Sequence, residues 1–346
     1  MNNEEKKIRV AITHGDLNGV GYEVILKTFG DSRMFDICTP IVYGSTKVAS
    51  YHKKLLTSMP QEMQFTSIPD ASQAQDGRFN FINLTSDEIK IDLGKSTEVA
   101  GRMSRESLSR ACADLKAGKV DVLVTAPINK RNIQSDDFDF PGHTEYLSHQ
   151  FGTKSLMLMV CDRIRIGIAT NHVALKDVPS AITHDLLYDK INLLNQSLKR
   201  DFRVTRPKIA VLALDPHAGD GGVIGDFDKL VVRPVIDEVQ QQGVLAYGPF
   251  PSDGFFGSSE FNKFDGVLAL YHDQGLIPFK LMSFTEGVNY TAGLPYVRTS
   301  PAHGTGYDIA GKDCASEQSM RSAVYLACNI LRNRQEYDEL NADPLK

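Results

Sequence analysis

The chain has 346 residues, 42% of them hydrophobic and 23% charged, which is enough for two α/β domains of ordinary soluble composition. Its formal net charge of −5, with no basic block to offset it, excludes broad electrostatic binding of nucleic acid. Five scattered cysteines, odd in number and without a C-x-x-C pair, exclude a disulfide framework or a thiolate zinc site and suit a reducing compartment. The start, MNNEEKKIRV, carries no apolar leader core, and no apolar run is long enough to span a bilayer. A cytoplasmic protein with no membrane partner is expected.

Short apolar runs alternate with longer amphipathic ones. IRVAIT (8–13), FINLT (81–85), DVLVTAP (121–127), KIAVLALDP (208–216) and GVLALYH (266–272) predict buried strands, being short, β-branched and ended by turn residues. Glu98–Gly118, Pro179–Phe202 and Asp228–Gly243 predict helices. The last sets Leu230, Val231, Val235, Ile236 and Val239 on one stripe and stops at Gly243. Two apolar arms around Asp162-Arg163 predict an antiparallel hairpin over 155–170, and a final helix is expected from Ser316 to about Leu340. This alternation implies an α/β fold with a largely parallel sheet and helices on both faces. Domain boundaries are expected near 128 and 300: one lobe of 1–128 plus 300–346, and a second of 129–299.

Three histidines end strand-like runs at polar turns: His172 in IGIATNHVAL, His217 in VLALDPHAGDGG and His272 in VLALYHDQG. A histidine there stands on the rim of a sheet, where α/β proteins keep their ligands. Any one of them alone could simply cap its strand. Together, three imidazoles can share one divalent metal and leave coordination positions open for a substrate. They are too far apart in sequence for a local zinc-finger site.

Other motifs say less. THGDLNGVGYE (13–23) spaces its glycines as G-x-x-x-G-x-G, which is a tight strand-to-helix turn and not the dinucleotide fingerprint. Gly94-Lys95-Ser96-Thr97 is not a P-loop, because Ile89 stands where its first glycine would be. In PGHTEYLSH (141–149), His143 and Thr144 open a helix, with Thr144 as expected N-cap and the helix start as an anion site. Asp253 lies in a Pro/Gly-rich turn, either an Asx-turn or a catalytic acid. Lys280, Asn289 and Arg298 can clamp a phosphate or carboxylate, Arg298 with its bidentate fork.

These motifs, with TAPINK (125–130), YHDQGLIPFK, GVNYTAGLPYVRTS and HGTGYDIAGK, occur in an order and over a length that resembles the 4-hydroxythreonine-4-phosphate dehydrogenase family of vitamin B6 biosynthesis. The resemblance implies a two-lobed fold like isocitrate and isopropylmalate dehydrogenases, a cleft between lobes, and a homodimer with its active site at the subunit interface. It implies oxidation of 4-phosphooxy-L-threonine to 2-amino-3-oxo-4-phosphooxybutanoate, which decarboxylates to 3-amino-2-oxopropyl phosphate. It makes His172, His217 and His272 ligands of one divalent ion (zinc, magnesium or cobalt), one of them from the partner subunit. It makes His143, Thr144, Lys280, Asn289 and Arg298 substrate contacts. It implies NAD, or NADP, held by the loop containing His303, Gly304 and Asp308, with the Asp308 carboxylate favouring NAD. Asp253 and Lys280 are the catalytic candidates, with a metal-activated water as the alternative base.

The chain departs from the family's usual TPGDPAGIGPE at His14, Leu17 and Tyr22, which replace prolines, and Gly254 stands where threonine is usual. These changes leave open a related phosphorylated four-carbon hydroxy acid, such as threonate or erythronate phosphate, as substrate. Two further classes stay open: a metal-dependent hydrolase, and a catalytically silent metabolite-binding protein.

Overall fold

The computed structural model describes residues 7–342 apart from 61, 137 and 284, so the outermost ends of the expected lobes, 1–6 and 343–346, lie outside it. The strands among the described residues, in chain order, are β1 (Ile8–Thr13), β2 (Cys38–Gly44), β3 (Phe65–Ser67), β4 (Phe79–Asn83), β5 (Val122–Thr125), β6 (Leu156–Val160), β7 (Arg165–Thr170), β8 (Lys208–Leu212), β9 (Leu245–Phe250), β10 (Gly266–Tyr271), β11 (Val288–Ala292) and β12 (Val297–Pro301). The chain divides into two compact units. The first runs to Tyr146 and adds Tyr296–Leu331; the second holds Leu147–Pro295 and the residues from Arg332 on.

In the first unit the strand order is β3-β4-β2-β1-β5-β12, every pairing parallel. Strands of such a sheet are covered on both faces and so read as continuous apolar runs. β2 is buried at all seven positions. The helix Glu98–Lys116 covers this sheet and begins where the spurious P-loop ended, with Thr97 Oγ1 accepting from the Ala100 amide at 3.2 Å. Its Met103, Leu108, Ala111 and Leu115 point inward at helical spacing, and burying each large one contributes about 1.5–3 kcal/mol.

In the second unit the order is β11-β6-β7-β10-β8-β9. β6 and β7 form the expected antiparallel hairpin, β11 is antiparallel to β6, and β7, β10, β8 and β9 run parallel. The helix His184–Arg200 buries Leu187, Ile191, Leu194 and Leu198, an i, i+4, i+7, i+11 stripe.

Two expectations need correction. The stripe predicted for 228–243 is out of phase at its start: Leu230 is 63% exposed, while Val232 is buried with Val235, Ile236 and Val239. A π turn over Asp228–Val232 precedes the α-helix Arg233–Gln241, and its extra residue rotates the buried face by one position. The unit boundaries also fall away from 128 and 300. Residues 129–146 stay with the first unit, where Arg105 donates to the Ile133 carbonyl at 2.9 Å and Asn132 to Asp16 at 2.8 Å. The end of the helix Gln318–Ala342 belongs to the second unit through Arg334–Asp201, Arg200–Asp338 and Arg203–Glu336 ion pairs. No helix among the described residues is long and apolar enough to cross a membrane.

Candidate active site

In the second unit, β7, β10 and β8 are adjacent and parallel, so the segments after them leave the sheet from one edge. His172 lies two residues beyond β7, His272 directly follows β10, and His217 lies five residues beyond β8. The structure brings the first two together: their ring centroids are 5.9 Å apart, tilted by 39°. His272 Nδ1 donates to Asp273 Oδ1 at 2.7 Å, which fixes the tautomer and leaves Nε2 as its lone-pair nitrogen. His217 does not complete a triad, and among the described residues no group of three His, Cys, Asp or Glu could hold a metal. From His217 to Gly221 five successive residues have positive φ, three of them non-glycine, a left-handed stretch that L-residues rarely adopt.

Two side chains that sequence reasoning missed hold these segments in place. Gln274 is buried; its Oε1 accepts from the Leu270 amide at 2.6 Å, while its Nε2 donates to the Ala213 carbonyl at 2.6 Å and Ser252 Oγ at 2.8 Å. It thus ties the ends of β10 and β8 to the segment carrying Asp253. Asp228 accepts from the amides of Leu214 and Asp215, both at 2.8 Å, and so braces the approach to His217. Burial pushes its carboxyl above the usual range, against those two hydrogen bonds. Asp253 sits, exposed, in the first turn of a short helix, Ser252–Gly257, and not in an open turn. Lys280 is exposed near the end of the helix His272–Met282. Asn289 is on β11, and its Oδ1 is buried with no hydrogen-bond partner.

The first unit holds the other substrate candidates. Arg298 is on β12 opposite Leu123 of β5 and is 1% exposed. Its Nε and Nη2 donate to Thr125 Oγ1 at 3.1 and 2.6 Å. Burial lowers the guanidinium to about 9, opposed by the charge of Glu145, so it remains a cation at neutral pH. His143 is held well below the usual imidazole range, first by burial and then by the charges of Arg298 and Lys130. A neutral ring results, and its Nε2 is buried without a partner. The helix His143–Phe151 starts two residues earlier than a Thr144 cap would give: the Gly142 carbonyl accepts from the Tyr146 amide at 3.2 Å, so Gly142 is the cap position and Thr144 is a buried residue of the first turn. A buried cation, a neutral imidazole and a helix start together suit an anionic group.

The loop after β12 offers His303, whose Nδ1 donates to the Gly304 carbonyl at 2.9 Å and whose Nε2 is buried without a partner. Burial lowers its pKa. Gly304 and Asp308 are exposed.

The family model for Pyridoxal phosphate biosynthetic protein PdxA matches residues 36–327. The chain belongs to that family. It is 48% identical over 345 residues to the 4-hydroxythreonine-4-phosphate dehydrogenase of Bacteroides thetaiotaomicron, covering 99% of this chain and 94% of the relative. The Sulfurihydrogenibium sp. protein of the same name is 38% identical, covering 95% of this chain and all of that one. Among solved structures, the Klebsiella pneumoniae 4-hydroxythreonine-4-phosphate dehydrogenase matches with a TM-score of 0.82 at 31% identity, over 95% of this chain and 99% of that one. A terephthalate 1,2-cis-dihydrodiol dehydrogenase from Burkholderia xenovorans shares the fold alone, with a TM-score of 0.60 at 22% identity over 93% of this chain and 98% of that one.

At the N-terminal loop, where the sequence resemblance led to the expectation of prolines, the side chains of His14 and Tyr22 are packed into a ring stack. His14, Tyr22 and His52 form a buried stack of three rings, with centroids 5.2 and 5.1 Å apart and planes within 18°. His52 Nε2 donates to the Leu17 carbonyl at 2.9 Å, and Tyr22 Oη accepts from the Ser45 amide at 3.0 Å. Two of the three side chains expected to be prolines thus contribute packing and hydrogen bonds to the loop instead.

Proposed function

We propose that this chain is a 4-hydroxythreonine-4-phosphate dehydrogenase. It would oxidise the secondary alcohol of 4-phosphooxy-L-threonine with NAD to a β-keto acid that loses CO2 to give 3-amino-2-oxopropyl phosphate. The observation that carries the reading is near-full-length identity of 48% to a relative of that name. In support, the chain has the buried Arg298 and unpartnered His143 Nε2 that an anionic substrate would engage.

When bound, a divalent ion supplies Lewis acidity at the reacting hydroxyl and a nicotinamide accepts the hydride. Imidazole donors suit such an ion, and His172 and His272 are close enough to share it. His217 of a second copy of the chain would be the third donor. That assignment agrees with the large apolar side chains exposed on the three histidine-bearing segments, Leu175 at 70%, Val223 at 84% and Leu281 at 83%, which a homodimer would cover. His143, Thr144, Lys280, Asn289 and Arg298 would hold the substrate's phosphate and carboxylate, keeping the reacting carbon in register. Asp253 would take the hydroxyl proton. The buried Nε2 of His303 and the exposed Asp308 carboxylate fit the hydroxyl-rich adenosine half of a dinucleotide.

The test is turnover of 4-phosphooxy-L-threonine beside threonate and erythronate phosphates, with NAD and a divalent metal, following NADH and CO2. NADH formation with the threonine phosphate at an efficiency well above the other two supports the proposal. Faster turnover of either acid would reassign the substrate, and phosphate release without NADH would reassign the reaction class.

A further inference from the structure

The side chain that ties the 303–311 loop to the rest of the first unit is Tyr307. Its hydroxyl donates to Asp16 Oδ2 at 2.7 Å and accepts from Asn129 Nδ2 at 2.8 Å. Asp16 is fully buried; Oδ2 also accepts from Asn132 Nδ2 at 2.8 Å, and Oδ1 accepts from the Asn18 amide at 2.9 Å. Backbone closes the same junction, the Asp16 amide donating to the Pro127 carbonyl and the Val20 amide to the Thr305 carbonyl, both at 2.9 Å. Approach is so close that a Cβ at Gly19 would sit 2.4 Å from the Thr305 oxygen. The loops following β1, β5 and β12, three neighbouring parallel strands, thus meet on one carboxylate. Burial and the Asp16 contact raise the Tyr307 phenol to about 12, so it stays a donor at neutral pH.

A buried carboxylate is retained only where donors match it, and here one of them is the loop's own hydroxyl. The base of the loop is therefore satisfied, while its His303 Nε2 has no partner and Asp308 stands exposed. We propose that Asp16 and Tyr307 are positioning residues for the nicotinamide cofactor, presetting the 303–308 backbone so that His303 and Asp308 face the adenosine half before it arrives. A preset loop spares the ordering cost that binding would otherwise carry. The proposal rests on the assignment of 303–308 as the cofactor loop.

Calorimetric titration of NAD into the full-length protein tests it without turnover, using Tyr307→Phe, Asn129→Leu and Asp308→Ala. Tyr307→Phe is expected to raise the NAD dissociation constant about tenfold, near 1.4 kcal/mol, with the substrate's dissociation constant unchanged. Asn129→Leu, which removes the hydrogen bond that Asn129 Nδ2 donates to the hydroxyl, tests the same point should the first variant fold poorly. Weakened NAD binding in Asp308→Ala with none in Tyr307→Phe or Asn129→Leu overturns the positioning role but keeps the loop. Unchanged binding in all three overturns both. Equal weakening of NAD and substrate in Tyr307→Phe, with a lowered Tm, reduces Tyr307 to a fold brace and also overturns the proposal.

Discussion

Arg298 and Thr125 are joined across neighbouring strands, the guanidinium donating from Nε at 3.1 Å and Nη2 at 2.6 Å to one hydroxyl. That acceptor is neutral, so this bond orients the fork, and the burial that lowers the guanidinium's pKa also strengthens its attraction for negative charge, Glu145 included. Arg298→Lys would keep the charge but lose the planar fork and its seat on Thr125. The expected outcome is a rise of about 10- to 100-fold in substrate KM, the equivalent of about 1.5–3 kcal/mol for charged hydrogen bonds, with NAD binding unaltered. Steady-state kinetics with each substrate varied separately checks it. An unchanged KM removes Arg298 from the site.

The histidines lead to a sharper test, because His172 and His272 are neighbours whereas His217 forms no three-ligand group with them among the described residues. If each site takes its third imidazole from the other subunit, His217→Ala and His272→Ala should each be inactive and metal-poor as homodimers. Mixed and re-associated, half the dimers would be heterodimers, each with one intact set. Activity should return to about one quarter of the unmutated level. Mixing that restores neither activity nor metal content, while differently tagged subunits co-purify and so prove dimer exchange, places all three ligands in one chain.

The alternation of elements was legible because parallel strands covered on both faces are mostly apolar, as in β1, β5 and β8, where charged side chains are confined to the first two positions. The strand-end histidines were legible for the same reason. β2 was not, since Pro40 interrupts CTPIVYG; it is paired with Val10 of β1 but lies just before Ile41, the first residue of β2 paired with β4. Asp16, Gln274 and Tyr307 were invisible in their roles: each acts through partners distant in sequence, and no periodicity marks a hydrogen bond between loops. Only the short motif THGD, an acid directly after a strand and a glycine, hinted at the first. Handedness was invisible too. DPHAGDGG announces a turn, but not that His217, Ala218 and Asp220 all take positive φ.

On the proposed cofactor assignment, Asp308 is expected to decide between NAD and NADP by simple electrostatics. An exposed carboxylate can accept from both ribose hydroxyls of NAD, and it repels the additional phosphate of NADP. The expected outcome is higher kcat/KM with NAD than with NADP, and an Asp308→Ala variant in which the gap narrows mainly through weaker NAD use. If Asp308 only caps its turn, the variant will lose stability and leave cofactor choice as it was. Equal use of both cofactors by the unmutated protein refutes the assignment outright.

The His14–Tyr22–His52 stack predicts acid sensitivity independent of catalysis. Burial lowers both imidazoles from 6.5 to about 4; the charge of His52 adds to the effect on His14, while backbone hydrogen bonds at each ring oppose it. Above pH 6.5 both rings are neutral whether the chain is folded or not, and the stack costs nothing through protonation. As the pH falls from 6.5 towards 4, the unfolded chain takes up protons that the folded one refuses, so stability declines across that window. Each ring can contribute up to about 3 kcal/mol to the loss. Thermal or urea unfolding at pH 7.5, 6.5, 5.5 and 4.5 should show a progressive fall below 6.5. His52→Phe, which keeps an aromatic ring against Tyr22 but cannot bind a proton, should flatten that decline even if it lowers stability at pH 7.5 by losing the bond to Leu17. A parallel pH dependence in variant and unmutated protein would show that other groups control the acid transition.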